Sequence, residues 1–172
     1  MLRLLQTFIE IAVWRKGPQD LPASNALLTV TLACYVGLSF LQGRIVGHSF
    51  SDTVLLIAID VAMICVWLVG VLSLFAFRSR FAQTLTAMLG VGILLSILDM
   101  AIGAAAESFG DADTLKQIAF PYLLVILLAL GRIFMVALER GLLTGMALAY
   151  AMVMSTMALA NLIVDPIVPT VQ

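Results

Sequence analysis

The chain has 172 residues, 63% of them hydrophobic and 11% charged, with a net charge of −1 and a mean hydropathy of +1.14. A soluble domain is nearer half apolar and a quarter charged, so this much apolar surface cannot hide in a core of this size and the bilayer must act as solvent. The near-zero charge leaves no basic surface for nucleic acid.

Residues 1–16 read as an amphipathic helix. Arg3, Gln6, Thr7 and Glu10 share one face, and Leu4, Leu5, Phe8, Ile11 and Ala12 cover the other. The segment is too short and too charged to span. It is expected to lie in the interface with Trp14, Arg15 and Lys16 as headgroup anchors, or to pack against the bundle end. No signal-peptide pattern is present, so the N-terminus is expected to stay in the mature protein. Gly17-Pro18 stops this helix, Pro22 delays re-entry, and Ser24 can cap the next helix.

Residues 17–172 are expected to form a transmembrane domain of five spans, at about 25–41, 52–77, 81–106, 121–138 and 142–164. The fold class is therefore all-α, a polytopic five-helix membrane bundle preceded by the amphipathic helix. Thr29, Thr31, Tyr35 and Ser39 make the first span the least apolar, which predicts burial among other helices. A polar loop at 42–51 follows. The basic turn Phe77-Arg78-Ser79-Arg80-Phe81 joins the second and third spans. The loop Glu107–Ala119 comes next. Its Gly110-Asp111-Ala112-Asp113 is faintly like a calcium loop, but the rest of that twelve-residue pattern is missing and no metal site is expected. Pro121 stands at a favoured first helical position. Glu139-Arg140-Gly141 makes a tight turn, and Asp165-Pro166 with Pro169 ends the last span. No proline falls within a predicted span, which counts against a broken-helix carrier.

Cys34 and Cys65 lie inside apolar segments, and the single histidine, His48, lies in the polar loop. Neither a disulfide frame nor a zinc or haem ligand set is indicated, and no cofactor is expected. Arg3, Arg15, Lys16, Arg78, Arg80 and Arg140 fall on one side of the five spans, against Arg44 and Lys116 on the other. That asymmetry predicts a cytoplasmic N-terminus and an outside C-terminus.

Four polar residues inside the apolar segments form the candidate site. Asp60 and Asp99 lie roughly 12 Å below the outer surface, and Arg132, counted from Pro121, lies roughly 16 Å down. Asn161 sits near the outer end of the fifth span. A lone charge at this depth costs roughly 2.5–3.5 kcal/mol, so opposed charges should meet. Arg132 is expected to bridge Asp60 and Asp99, with Asn161 or Tyr35 completing the hydrogen bonds. Such a cluster can fasten the bundle, or it can bind a proton or small ion. The settings AIDVAM and ILDMAI lack any protease-dyad signature, and there is no nucleophile constellation or phosphate loop. No catalytic residue, and no enzyme, is expected. Gly141, Gly145 and Ala149 repeat every four residues, the small-xxx-small pattern of close helix packing, within the chain or with a second copy. Met146, Met152, Met154 and Met157 on the same helix read as adaptable packing.

The stretches RSRFAQTLTAMLGVGILLSIL (78–98) and GRIFMVALERGLLTGMALAYAMVMSTMAL (131–159) resemble the Yip1-like integral membrane proteins. In that family a basic turn leads into the third span, and the last two spans form a tight hairpin rich in small residues. The opening FIEIAVWRKGPQDLPAS is similar to that of small uncharacterised proteobacterial inner-membrane proteins. The resemblance implies a multi-pass protein of a bacterial inner membrane with a non-enzymatic adaptor or membrane-organising role. Its partners would be the lipid bilayer and a protein partner or second copy, with no nucleic acid. The alternative is a small transporter or channel-like subunit built on Asp60, Asp99 and Arg132.

Overall fold

A computed structural model describes residues 2–109 and 112–163, with side chains over 6–105 and 120–163. Among the described residues there are six α-helices and no strand: α1 (Leu2–Ala12), α2 (Asn25–Val46), α3 (Phe50–Leu74), α4 (Phe81–Phe109), α5 (Ala112–Leu138) and α6 (Leu142–Ile163). The last five are long and apolar enough to cross a membrane. Local chemistry sets several ends. Ser24 Oγ accepts from the Leu27 amide at 3.3 Å, and Ser49 Oγ accepts from the Asp52 amide at 3.1 Å, each filling an orphan donor of a first turn. Gly47, at φ 93°, closes α2 in a conformation that a side chain would strain.

Three expected boundaries are corrected. The first span continues past residue 41 to Val46, which takes Gln42 out of the predicted loop and into the helix. The predicted loop 107–119 is largely helix, since α4 runs to Phe109 and α5 starts at Ala112. Pro121 therefore lies inside α5 rather than at its start. Hydropathy marks the apolar stretch only; a helix bonds itself and continues into polar sequence beyond it. Gly110, Asp111 and the Asp165-Pro166 stop lie outside the described residues.

The five long helices form a ring in the order α2, α3, α6, α5, α4, with α4 also touching α3. The loops that join α1 to α2, α3 to α4 and α5 to α6 gather at one end, called here the basic end. There Arg80 donates to Glu139 Oε1 at 2.5 Å and to the Ala137 carbonyl at 3.2 Å, and Gln83 donates to the Leu21 carbonyl at 2.8 Å. The opposite, far end carries the α2–α3 loop with His48.

The basic half is tightly packed. Every residue of α4 from Thr84 to Val91 is buried, as are Ile133, Phe134, Ala137 and Leu138 of α5. The buried hydroxyls of Thr84 and Thr86 bond back to the carbonyls of Arg80 and Ala82 at 2.9 and 2.7 Å, so neither is an unsatisfied donor. Gly145 of α6 faces the Gly131 carbonyl of α5 so closely that a Cβ at Gly145 would overlap it. Ala149 is also buried on this face, whereas Gly141 stands in open space. The first span does not match its expected burial. Thr31 alone of α2 is buried, and its hydroxyl bonds the Leu27 carbonyl at 2.8 Å. Thr31, Tyr35, Ser39 and Gln42 make an inward stripe, Leu28 and Leu32 pack beside it on the core, and Thr29, Val30, Cys34, Val36 and Leu41 are exposed.

Helix α1 buries Phe8 and Ile11 in the core, with the Phe8 ring filling the space over Gly90. Bundle packing is thus a large part of what holds it. Trp14, Arg15 and Lys16 remain exposed. Lys16 pairs with Glu10 at 2.6 Å and holds that carboxyl below its ordinary value.

Helices α1, α3 and α5 all end at the basic end on a residue in the left-handed region that is not glycine: Trp14 (φ 68°), Ala76 (φ 62°) and Glu139 (φ 54°). The amide after each returns to a carbonyl five residues back, Arg15 to Glu10 at 2.7 Å, Phe77 to Leu72 at 2.8 Å and Arg140 to Met135 at 3.0 Å. Arginines cover the neighbouring rings. Arg80 lies 4.5 Å from the Phe77 centroid, Arg140 5.3 Å from Phe75 and Arg132 5.8 Å from Trp14.

Candidate functional site

The far half is hollow. A cavity of about 260 Å³ lies inside the ring, and all five long helices contribute to its wall. Its polar lining comes from Tyr35 and Gln42 (α2), Asp60 (α3), Ser96 (α4), Tyr122 (α5) and Thr156 (α6). Ile64, Met88, Leu95, Ile126, Leu130, Met152, Val153 and Met157 supply much of the rest. Asp60, Asp99 and Tyr122 each lie about 15 Å along their helices from the far end, so one layer of the bundle holds them all.

Helix α2 gives each carboxylate one neutral donor. The Tyr35 hydroxyl donates to Asp60 Oδ2 at 2.5 Å, and Gln42 Nε2 donates to Asp99 Oδ2 at 2.5 Å. Glycine makes the first bond reachable: a Cβ at Gly92 would stand 2.8 Å from the Tyr35 ring, so its absence lets α2 and α4 approach around the phenol. Tyr122 donates to the Leu95 carbonyl at 3.0 Å, tying α5 to α4 at the same level. A second recess, also of about 260 Å³, opens toward the α2–α3 loop; Ser39, Gly43, His48 and Thr53 line it. Asp60 and Gln42 belong to the walls of both spaces.

Arg132 does not bridge the aspartates. Helix α5 starts at Ala112, so Arg132 lies about 30 Å from its far end rather than 16 Å, and about 9 Å from Leu138. It belongs to the basic half. Its Nη1 reaches Met135 Sδ at 3.5 Å, its guanidinium lies over Trp14, and its buried Nε has no partner. Asn161 is exposed on α6. Among the described residues the ion pairs are Glu10–Lys16 and Arg80–Glu139, and neither reaches the cavity. No group of three His, Cys, Asp or Glu among the described residues could hold a metal ion.

Asp60, Asp99 and Tyr35 stand out in the sequence as polar residues within apolar runs, whereas Ser96, Tyr122 and Thr156 carry no such mark. A signal existed for Gln42. Thr31, Tyr35, Ser39 and Gln42 succeed one another at helical spacing, which marks a single polar stripe once the helix is carried beyond Leu41. No family model, curated protein or solved structure matches the chain.

Proposed function

We propose that this is a non-enzymatic membrane protein, a small transporter or channel-like subunit that binds a cation at Asp60. The observation that carries the reading is Asp60 on the wall of a cavity shared by five helices, with only the neutral Tyr35 hydroxyl as its partner. A carboxylate at membrane depth calls for a counter-charge, and with Arg132 remote no described side chain supplies one there. The adjoining recess supports an approach from the far end, through Ser39, Gln42 and Thr53. Basic residues gathered at the other end support a cytoplasmic N-terminus and a far end that faces outside, in a bacterial inner membrane.

The test is labelling with a membrane-impermeant thiol reagent in a background freed of Cys34 and Cys65. Cysteine replaces Ser39 in the recess, or Ser96 in the cavity. Both should react from the outer face. Full protection of both would sink the transport reading.

A second reading, an adaptor of the Yip1-like kind, is favoured by one feature of α1. It leaves Ile9, Val13 and Trp14 between 41 and 56% exposed, an apolar strip beside Arg15 and Lys16 that a bilayer surface or partner helix could cover. Deleting residues 2–12 would abolish partner or membrane association on this reading. Cation binding would persist on the first.

A further inference from the structure

We infer that the central cavity takes a small amphipathic organic monocation, with its ammonium group on Asp60 and its apolar body among Met88, Ile126, Met152 and Met157. The inference rests on the cation-binding reading above and names the ligand class.

Three observations select this class. The first is charge. Asp60 lines the cavity with a single neutral donor, whereas Asp99, bonded by Gln42, is not among the residues of that wall. One negative site calls for a monovalent ligand. The second is the lining. A divalent ion of the hard kind needs about six oxygens or more around it, whereas here one carboxylate faces mostly aliphatic and thioether carbon. Such a wall leaves most of a bare metal ion unsolvated but matches hydrocarbon. Methionines adapt to irregular apolar shapes, and two phenol rings, Tyr35 and Tyr122, share the wall. The third is size. A volume of about 260 Å³ falls below the usual range of drug-sized sites, so the ligand has on the order of ten non-hydrogen atoms. An amine or quaternary ammonium on a compact ring or short alkyl body satisfies all three conditions.

The recess adjoins the cavity. Asp60 and Gln42 stand between the recess and the cavity. A cation arriving past His48 and Thr53 meets the same carboxylate that it faces once inside, so its charge keeps one partner along the route.

The test uses the full chain in lipid nanodiscs and titration calorimetry with benzyltrimethylammonium, its uncharged carbon isostere, sodium and potassium. Benzyltrimethylammonium should bind saturably, and Asp60→Asn should weaken it about ten- to a hundred-fold. Ser96→Leu, which fills the cavity and leaves Asp60 untouched, should also remove binding, so the result does not depend on one variant's folding. Binding of sodium or potassium that requires Asp60, without binding of benzyltrimethylammonium, would overturn the organic ligand and leave the cation site standing. Equal binding of the isostere, unaffected by Asp60→Asn, would overturn the role of charge. No binding of any cation, with Asp60→Asn equivalent to the native chain, would overturn both readings.

Discussion

The two halves of this bundle solve the same problem in opposite ways. In the basic half, side chains fill the core between α4 and α5. Open recesses of about 280 and 410 Å³ lie beside that core, next to Ser73 and Arg78 and next to Met135 and Arg140. Every described charge in this half has an ion partner, an aromatic ring or a solvent-exposed position. In the far half, the same five helices leave a cavity and place two carboxylates at its level whose donors among the described residues are neutral. A chain able to pack α4 residue by residue from Thr84 to Val91 has the means to close the space around Ser96, yet that space is open. Packing in membranes comes from close van der Waals contact and small residues, with little hydrophobic drive between helices. A hollow layer is therefore a feature that the tight half has to support.

The contrast can be broken by substitutions of opposite sense. Phe134→Ala in the packed half should cost about 3 kcal/mol, because the ring is fully buried. Gly145→Leu should be of similar size, since its side chain meets the Gly131 backbone. Ser96→Leu adds more volume than most cores tolerate, but it enters an open cavity and should change stability by less than about 1 kcal/mol. Reversible unfolding in mixed micelles measures all three. A cost for Ser96→Leu equal to that of Phe134→Ala would mean that the far half is packed after all.

A middle-sized effect sharpens the description of the acidic layer. Tyr35→Phe and Gln42→Leu each strip one donor from a half-buried carboxylate and should cost about 1 kcal/mol. Double-mutant cycles should find coupling within Tyr35/Asp60 and within Gln42/Asp99. The crossed pair Tyr35/Asp99 should be additive within about 0.5 kcal/mol. Strong crossed coupling would make the layer one network rather than two separate bonds.

The smallest effect belongs to the rim of the basic half. Lys16 lowers the folded-state value of Glu10 below its ordinary 4.5. The contribution of that pair is full above the unfolded value and is lost as pH falls through the lowered one. Acid titration of Trp14 fluorescence, in a Trp67→Phe background, should show a transition below pH 4.5, and Glu10→Gln should remove it. A transition that survives the substitution would assign it to another group.

Much of the architecture could be read from sequence, and the shortfall has a physical pattern. Apolar runs give the number of spans, and Arg78-Ser79-Arg80 and Glu139-Arg140-Gly141 mark turns because charges avoid the bilayer centre. Ser24, a short hydroxyl residue just ahead of an apolar run, caps the helix after it. Hydropathy, however, reports where a segment is apolar and not where its helix begins. Counting Arg132 from Pro121 instead of Ala112 moved it by about 14 Å, enough to turn a residue of the basic half into a partner for Asp60 and Asp99. The same shortening cut Gln42 from α2 and hid the bond to Asp99. Rotation about the helix axis is also invisible in composition. Thr29, Thr31, Tyr35 and Ser39 together suggest a helix surrounded by others, whereas Thr31, Tyr35 and Ser39 share one inward stripe and Thr29 is exposed on the other side.

The three left-handed caps bear on how the loops acquire their shape. A glycine would adopt that conformation unaided. Ala76 and Glu139 disfavour it by roughly 1–2 kcal/mol, which the bonds from Phe77 to Leu72 and from Arg140 to Met135 offset in part. The other turn adds to those bonds: Arg80, just beyond Ala76, closes on Glu139 and on the Ala137 carbonyl. Each loop is thus worth more to the assembled bundle than to its own hairpin, and the two hairpins α3–α4 and α5–α6 proofread one another at the point where they meet.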